Sequence, residues 1–323
     1  MSADQTVAPA GPASREARQF AVALFVLVAA LAVAPFVAYP FFVMQALCFA
    51  LFACAFNLLI GYVGLLSLGH AMFLGAASYV CAHAAKVWGL DPVLAILAGV
   101  ACSAILGFVA GALSIRSQGI YFAMITVALS QMIFFFCVEA PFTHGEDGIQ
   151  GVPQGRALGL IDLSQPALLY VFVAVVFLFG FLTVYRTVNS PFGEILKAIR
   201  ENEPRAISLG YRVQRYKLAA FVLSAALAGL AGATKAIVGQ NASLTDVGFA
   251  MSGEVVLMTL LGGMGTLYGP VVGAVVVVSM QNYLAQYGEW VTVIQGGVFV
   301  ACVLMFRRGI VGEIANALKW TSL

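Results

Sequence analysis

RTVNSPFGEILKAIRENEPRAISLGYRVQRYK, residues Arg186 to Lys217, is a polar island between two long apolar stretches, and it holds seven of the chain's sixteen Lys and Arg residues. A loop this basic between membrane helices is expected on the cytoplasmic side, where Lys and Arg are retained. Its interior carries helix signals. Ser190 suits an N-cap and Pro191 the first helical position. Phe192, Ile195, Leu196 and Ile199 follow at i, i+3, i+4 and i+7, one apolar stripe on a short helix. Pro204 opens a second short helix, which Gly210 can end in a left-handed cap. Two short helices on an inner face suggest a lever moved by a partner. The same residues also suit an ordinary surface loop whose charge only sets topology.

Composition around the island fixes the class. The 323 residues are 62% hydrophobic and 9% charged, against roughly 25% charged in a soluble domain. The chain reads as an all-α polytopic membrane protein. Ten spans are expected, near 20–38, 41–60, 64–85, 92–114, 119–138, 166–185, 217–238, 252–267, 270–287 and 291–306. With a cytoplasmic N-terminus, the inner segments collect Arg15, Arg18, Arg116, the seven of the island, Arg307, Arg308 and Lys319, thirteen of the sixteen cations. Only Lys86, Arg156 and Lys235 fall elsewhere, so both termini are expected inside. Residues 1–19 read as a disordered tail, 20–306 as the transmembrane domain with its loop at 186–217, and 307–323 as a second tail. The apolar run after Arg18 has no evident cleavage site and reads as a retained anchor.

The longest outer loop, Glu139 to Gln165, has another chemistry. Its run THGEDGIQGVP, Thr143 to Pro153, reads as a Gly-punctuated polar turn, neither strand nor helix. Gly145, Asp147, Gly148 and Gly151 are its candidate partner-facing residues; a plain solvated connector is the alternative.

Two glycine-rich segments interrupt apolar sequence: GYVGLLSLGHAMFLGA (Gly61–Ala76) and LGGMGTLYGPVVGA (Leu261–Ala274). They are either interfacial turns or broken helices packed inside protein, because lipid-exposed backbone cannot stay unpaired. Ser67 and His70 are the strongly polar side chains of the first. They are candidates for a translocation path, although a lone His is more often a packed residue than a proton carrier. In the span after Arg116, Thr126 and Ser130 share a face, with Tyr121 nearer the inner end. This strip lines a path or glues helices together. In SAALAGLAGATKA, Ser224, Ala228 and Gly232 recur every four residues, as do Ala225, Gly229 and Ala233, a surface for close helix approach.

The exclusions narrow the function. GLAGATKA lacks the ending of a phosphate-binding loop, and no nucleophile elbow, metalloprotease helix or Asp-rich metal motif occurs. The six cysteines lie in apolar segments without metal spacing. Glu254 and Lys235 stand near outer ends, where they can reach the interface. A carrier driven by protons or sodium needs buried acids for its coupling ion. Energy is therefore expected from another chain.

Four motifs in order carry a resemblance: GYVGLLSLGHAMFLGA, GIYFAMITVALSQM (from Gly119), SPFGEILKAIRENEPRAISLGYRVQRYKLAAFVLSAALAGLAG (from Ser190) and SGEVVLMTLLGGMGTLYGPVVGA (from Ser252). Together they closely resemble permease subunits of bacterial branched-chain amino acid ABC importers, the LivM-like half. The resemblance implies a coupling helix at about Glu201 to Gly210 that fits a groove of an ATPase subunit. Ala206 and Gly210 match the general importer loop pattern, whereas Pro204 and Arg205 stand where Glu and the first Ala would be. Glu201, Glu203, Arg205, Ala206, Leu209 and Gly210 are thereby the expected coupling residues. The implied partners are a homologous permease subunit, two ATP-binding subunits and an extracytoplasmic solute-binding protein, in a bacterial inner membrane. ATP and Mg would reside on the ATPases, with no cofactor and no catalytic or metal residue on this chain. Urea, short amides and aromatic carboxylates are alternative cargoes, and a stand-alone carrier or channel is the reading from another class.

Overall fold

The computed structural model describes residues 12–157, 159, 161–288, 290–305 and 309–317. Residues 1–11 of the expected N-terminal tail lie outside the described residues, as do Arg307, Arg308 and Lys319, and the side chains of Arg15, Arg18 and Cys302.

Thirteen helices and four two-residue strands make up the described residues. The chain runs α1 (Pro12–Val37), α2 (Pro40–Asn57) with a π turn (Leu58–Val63), α3 (Ala71–Lys86), α4 (Pro92–Ser114) and α5 (Ile120–Glu139). The outer loop follows with β1 (Ile149–Gln150), β2 (Arg156–Ala157) and β3 (Ile161–Asp162). Next come α6 (Pro166–Val188), the short α7 (Pro191–Glu201) and α8 (Glu203–Ser208), then α9 (Val213–Gly239). The chain continues through β4 (Asn241–Ala242), α10 (Phe249–Gly262), α11 (Gly269–Leu284), α12 (Trp290–Met305) and α13 (Gly309–Ala317). Prolines open α2, α4, α6 and α7 in the first turn, where their missing N–H would have had no helical acceptor.

Among the described residues, five helices are long and apolar enough to cross a membrane: Pro40–Val63, Pro92–Ser114, Ile120–Glu139, Pro166–Val188 and Val213–Gly239. Leu24–Phe36, Phe249–Gly262 and Gly269–Leu284 are shorter apolar helices. The chain is thus a multi-pass, all-α membrane protein, with α2 and α9 mostly buried at its centre. The small-residue surfaces of α9 explain its position. A Cβ on Gly229 would strike Ser103 of α4, and one on Gly232 would strike the backbone at Leu74 of α3. Only side chains this small let three helices meet at backbone distance.

Residues 12–19 of the expected disordered tail are the start of α1, α13 lies within the expected C-terminal tail, and two expected spans are shorter than expected. Helix α3 begins at Ala71, not at 64, and α10 ends at Gly262, not at 267. The missing turns are the glycine-rich segments. At 1.5 Å per residue α3 and α10 measure only about 24 and 21 Å, short of a hydrocarbon core of about 30 Å. Most of the first break is held inside protein: Leu65, Ser67, Gly69 and His70 are buried, while Gly64 and Leu66 are exposed. The second break is half-buried from Gly265 to Tyr268, so both lie against protein, which is how a membrane tolerates them.

Candidate functional site

The inner loop is a folded unit. Ser190 caps α7 by accepting from Gly193 N–H at 3.3 Å, and Asn202 caps α8 by accepting from Arg205 N–H at 3.0 Å. Leu196 and Ile199 of the apolar stripe are buried, and Phe192 and Ile195 are half-buried. Ile199, Ala206 and Val213 close a small core of their own, flanked by Ile195 and Tyr216. Gly210 takes a left-handed φ of 87°. Its N–H donates to Ile207 O at 2.9 Å, and Tyr211 N–H donates to Ala206 O at 3.2 Å, which ends α8. Lys217 reaches back from α9 to Glu203 at 2.8 Å, and Gln118, before α5, touches the same carboxylate at 3.4 Å.

Of the expected coupling residues, Glu201, Arg205, Leu209 and Gly210 face outward. Glu203 is engaged by Lys217, and Ala206 points into the small core. Ile207 and Tyr211 also present apolar surface at this corner, 57% and 40% exposed, which the sequence reading missed. Their signal was available: large apolar residues in a short polar helix and its cap, Ile207 one position from the inward Ala206 and Tyr211 just past Gly210. Beside Gly210 opens a pocket of about 380 Å³, lined by Phe192, Tyr211, Arg212, Arg215, Tyr216 and Ala219.

The expected path residues divide. A Cβ on Gly69 would strike Thr126 O and come within 2.9 Å of Ser130 Cβ, so the first glycine break lies directly on the Thr126–Ser130 face of α5. Thr126 and Ser130 are buried, and so are Ser67 and His70. Tyr121 is not with them. It is 70% exposed, because five residues rotate a helix by roughly 140° from one side chain to the other. Thr126 donates to Ala123 O at 2.8 Å, whereas the hydroxyls of Ser67 and Ser130 have no partner among the described residues. His70 is packed among Phe52, Phe56 and Phe73, with Nε2 at 3.3 Å from Ser224 Oγ. Three phenyl rings and one hydroxyl form a packing site rather than a proton chain.

Residues not singled out from sequence hold the breaks in place. Ser252 of α10 accepts the N–H of Ala71 at 3.0 Å and so caps α3 from another helix. Asn57, 1% exposed, accepts from Gly265 N–H at 2.9 Å and donates to Thr266 O at 2.8 Å. The helix hairpin α10–α11 closes through glycine, since a Cβ on Gly273 or Gly262 would strike the facing backbone.

The outer loop shows two more corrections. Its Thr143–Pro153 run contains short 3-10 turns and strand β1, which pairs antiparallel with β4 after α9. Gly145, Gly148 and Gly151 all have positive φ; Gly148 is buried beneath Ala242, while Asp147 and Gly151 are exposed. Lys235, near the end of α9, has a protein partner. It forms an ion pair with Asp246, which is 1% exposed, and stands 5.5 Å over the Phe49 ring. Glu254 is half-buried and hydrogen-bonded to Gln281 of α11.

A family model described as "Branched-chain amino acid transport system / permease component" matches residues 38–303. The chain is 26% identical over 337 residues to the high-affinity branched-chain amino acid transport system permease protein LivM of Escherichia coli K12, covering 93% of this chain and 76% of that protein. It is 28% identical over 290 residues to LivM of Salmonella typhimurium LT2, covering 82% and 68%. A probable LivM of Methanocaldococcus jannaschii is 23% identical over 268 residues, covering 75% and 76%. No solved structure matches.

Proposed function

From the premise that this chain belongs to the family of branched-chain amino acid transport permeases, we propose that it forms one half of the membrane pathway of a binding-protein-dependent ABC importer for branched-chain amino acids. As a permease component it is not an enzyme and carries no cofactor. ATP hydrolysis belongs to separate subunits, and a solute-binding protein delivers the cargo.

The observation that carries the reading is the inner loop's construction: a basic unit with a core of its own that ends in an exposed apolar corner. Ile207, Leu209, Gly210 and Tyr211 form that corner. An ATPase groove that receives α8 would cover their apolar surface, and acidic groups on its rim would meet Arg212 and Arg215 beside the pocket. Ala206, turned inward, keeps the corner rigid rather than making contact.

The remaining assignments follow from this side choice. The loop and both termini lie in the cytoplasm, and ten helices cross the inner membrane, α3 and α10 together with their glycine breaks. Gly145, Asp147 and Gly151 face the binding protein, while Gly148 shapes the loop from beneath Ala242. A homologous permease completes the pathway. The unpartnered Ser67 and Ser130 hydroxyls and Thr126 lie where a break meets a span, a place for polar contacts with a solute in transit. A hydrophobic amino acid needs few such contacts, in keeping with a core this poor in charge.

The test is uptake of labelled leucine by cells expressing the transport system with and without this chain, challenged by excess isoleucine and then by urea. Uptake that requires the chain and is competed by isoleucine alone is the expected result. Unchanged leucine uptake by an expressed system would overturn the cargo.

A further inference from the structure

Arg200 stands in the last turn of α7 and is surrounded by a basic loop, yet among the described residues its guanidinium pairs with no carboxylate. It donates instead to Gly61 O, in the π turn that ends α2. Its stem lies across Gly64, where an added Cβ would stand 3.2 Å from Arg200 Cγ. Its head lies against the other break, since a Cβ on Gly265 would stand 3.4 Å from both Arg200 Nη1 and Gly61 O. The two glycine breaks therefore touch each other, latched by Asn57, and one side chain from the inner loop sits at their junction.

The parts on either side differ in stiffness. On the loop side, α7 and α8 share a small core, two capped N-termini and the Lys217–Glu203 bridge, so displacement of the Gly210 corner carries α7 with it. On the membrane side Gly64, Gly263 and Gly265 have φ of 80°, 122° and 76°, conformations in which glycine backbone turns at little cost. The chain there can swivel without breaking a helix. Arg200 joins the stiff part to the two places that can turn, and those places lead into α3, α10 and α11.

We propose that Arg200 is the positioning residue that transmits movement of the inner loop to both glycine breaks at once, coupling the ATPase-facing corner to the opening of the pathway. This rests on the reading of α8 as the ATPase contact. Arginine suits the task, because its planar fork can hold a carbonyl while the stem packs over glycine. Lysine offers a single ammonium and would restore part of the link.

The experiment uses the complete transporter in liposomes and measures solute moved per ATP hydrolysed. Arg200→Ala should lower that ratio about tenfold, a coupling loss typical of linked sites, with assembly and basal hydrolysis within about twofold of wild type. Arg200→Lys should fall between the two, and Arg186→Ala, an exposed cation of the same island away from the junction, should leave the ratio unchanged. An unchanged ratio in Arg200→Ala overturns the proposal. Parallel loss of assembly and hydrolysis in both Arg200 variants also overturns it, since a merely structural role predicts that. Gly210→Trp separates the premise from the inference: if it transports normally, the contact reading fails, and if it fails while Arg200→Ala is unchanged, only the linkage is wrong.

Discussion

The two long polar loops of this protein are built on opposite principles. The inner loop, 186–217, is held by side chains: caps at Ser190 and Asn202, a core of Ile199, Ala206 and Val213, and ties through Lys217 and Arg200. The outer loop, 139–165, is shaped by backbone. It turns at His144, Gly145, Gly148, Gly151, Gly155 and Gly159, all with positive φ, and is fastened by two-residue ladders β1–β4 and β2–β3. A side-chain core resists bending, so a push at one end arrives at the other. The outer loop has no core of its own: Ile149, Val152, Ala157 and Leu163 anchor it in the main core, and the glycine turns between them leave exposed stretches that can reshape against a partner. The difference fits an inner face that receives force and an outer face that receives a delivering protein.

The sharpest way to break this comparison is at Gly210. A Cβ there would meet nothing within 4 Å, so the position is open. The cost to the fold of a non-glycine residue at its φ of 87° is only the left-handed strain, about 1–2 kcal/mol. Gly210→Trp should therefore reach the membrane at near wild-type levels but abolish uptake, while Gly210→Ala retains most of it. Uptake and surface expression measured side by side check this. Normal uptake by the Trp variant would make the inner loop a topological loop and nothing more.

The outer face has one strong anchor to test against that. Asp246 follows β4 and is buried with Lys235 as its charge partner. Lys235→Met leaves a buried carboxylate uncompensated and should cost about 3–5 kcal/mol, whereas removing both charges in Lys235→Met/Asp246→Asn should recover most of that loss. Thermal unfolding in detergent measures it. Equal stability in the single variant would mean that the β1–β4 ladder alone holds the outer segment.

A smaller effect sharpens the inner side. Asn202→Ala removes the α8 cap and should cost about 1 kcal/mol. The loss should appear as faster amide exchange over residues 203–211 with α7 unchanged. Spread of the exchange into α7 would show that the two helices unfold as one unit.

What was legible in the sequence follows the same divide. The α7 stripe, the Ser190 cap, the Gly210 turn and the close-packing surface of α9 are local patterns, and the structure has them where periodicity and turn chemistry put them. The Asn57 latch joins residues more than 200 positions apart, and Arg200 reaches Gly61 across 139. No periodicity marks such pairs. Strand β1 was missed for a related reason, because its partner β4 lies beyond four intervening helices. Periodicity puts Thr126 and Ser130 on one face, but Tyr121, five residues before Thr126, is rotated away from it. The Lys235–Asp246 pair is not legible, because Asp246 lies in a turn that sequence alone does not fold back.

The smallest effect concerns how weakly the outer loop depends on side-chain charge. Asp162 accepts the Ser164 N–H at 3.0 Å. Its carboxyl is held below the ordinary 3.8, first by that backbone bond, then by the Ser164 hydroxyl and the charge of Arg156, against slight desolvation. A depressed folded value means the contribution is present above the unfolded value and is lost as pH falls through the folded one. Protection of the Ser164 amide should therefore persist at neutral pH and disappear in acid below 3.8. Asp162→Asn should flatten that dependence while leaving global unfolding unchanged, because the carboxylate sits in a surface hairpin where screening keeps its contribution small. A global change would mean that the β2–β3 hairpin bears load, and the outer loop would then resemble the inner one more than its backbone-built form suggests.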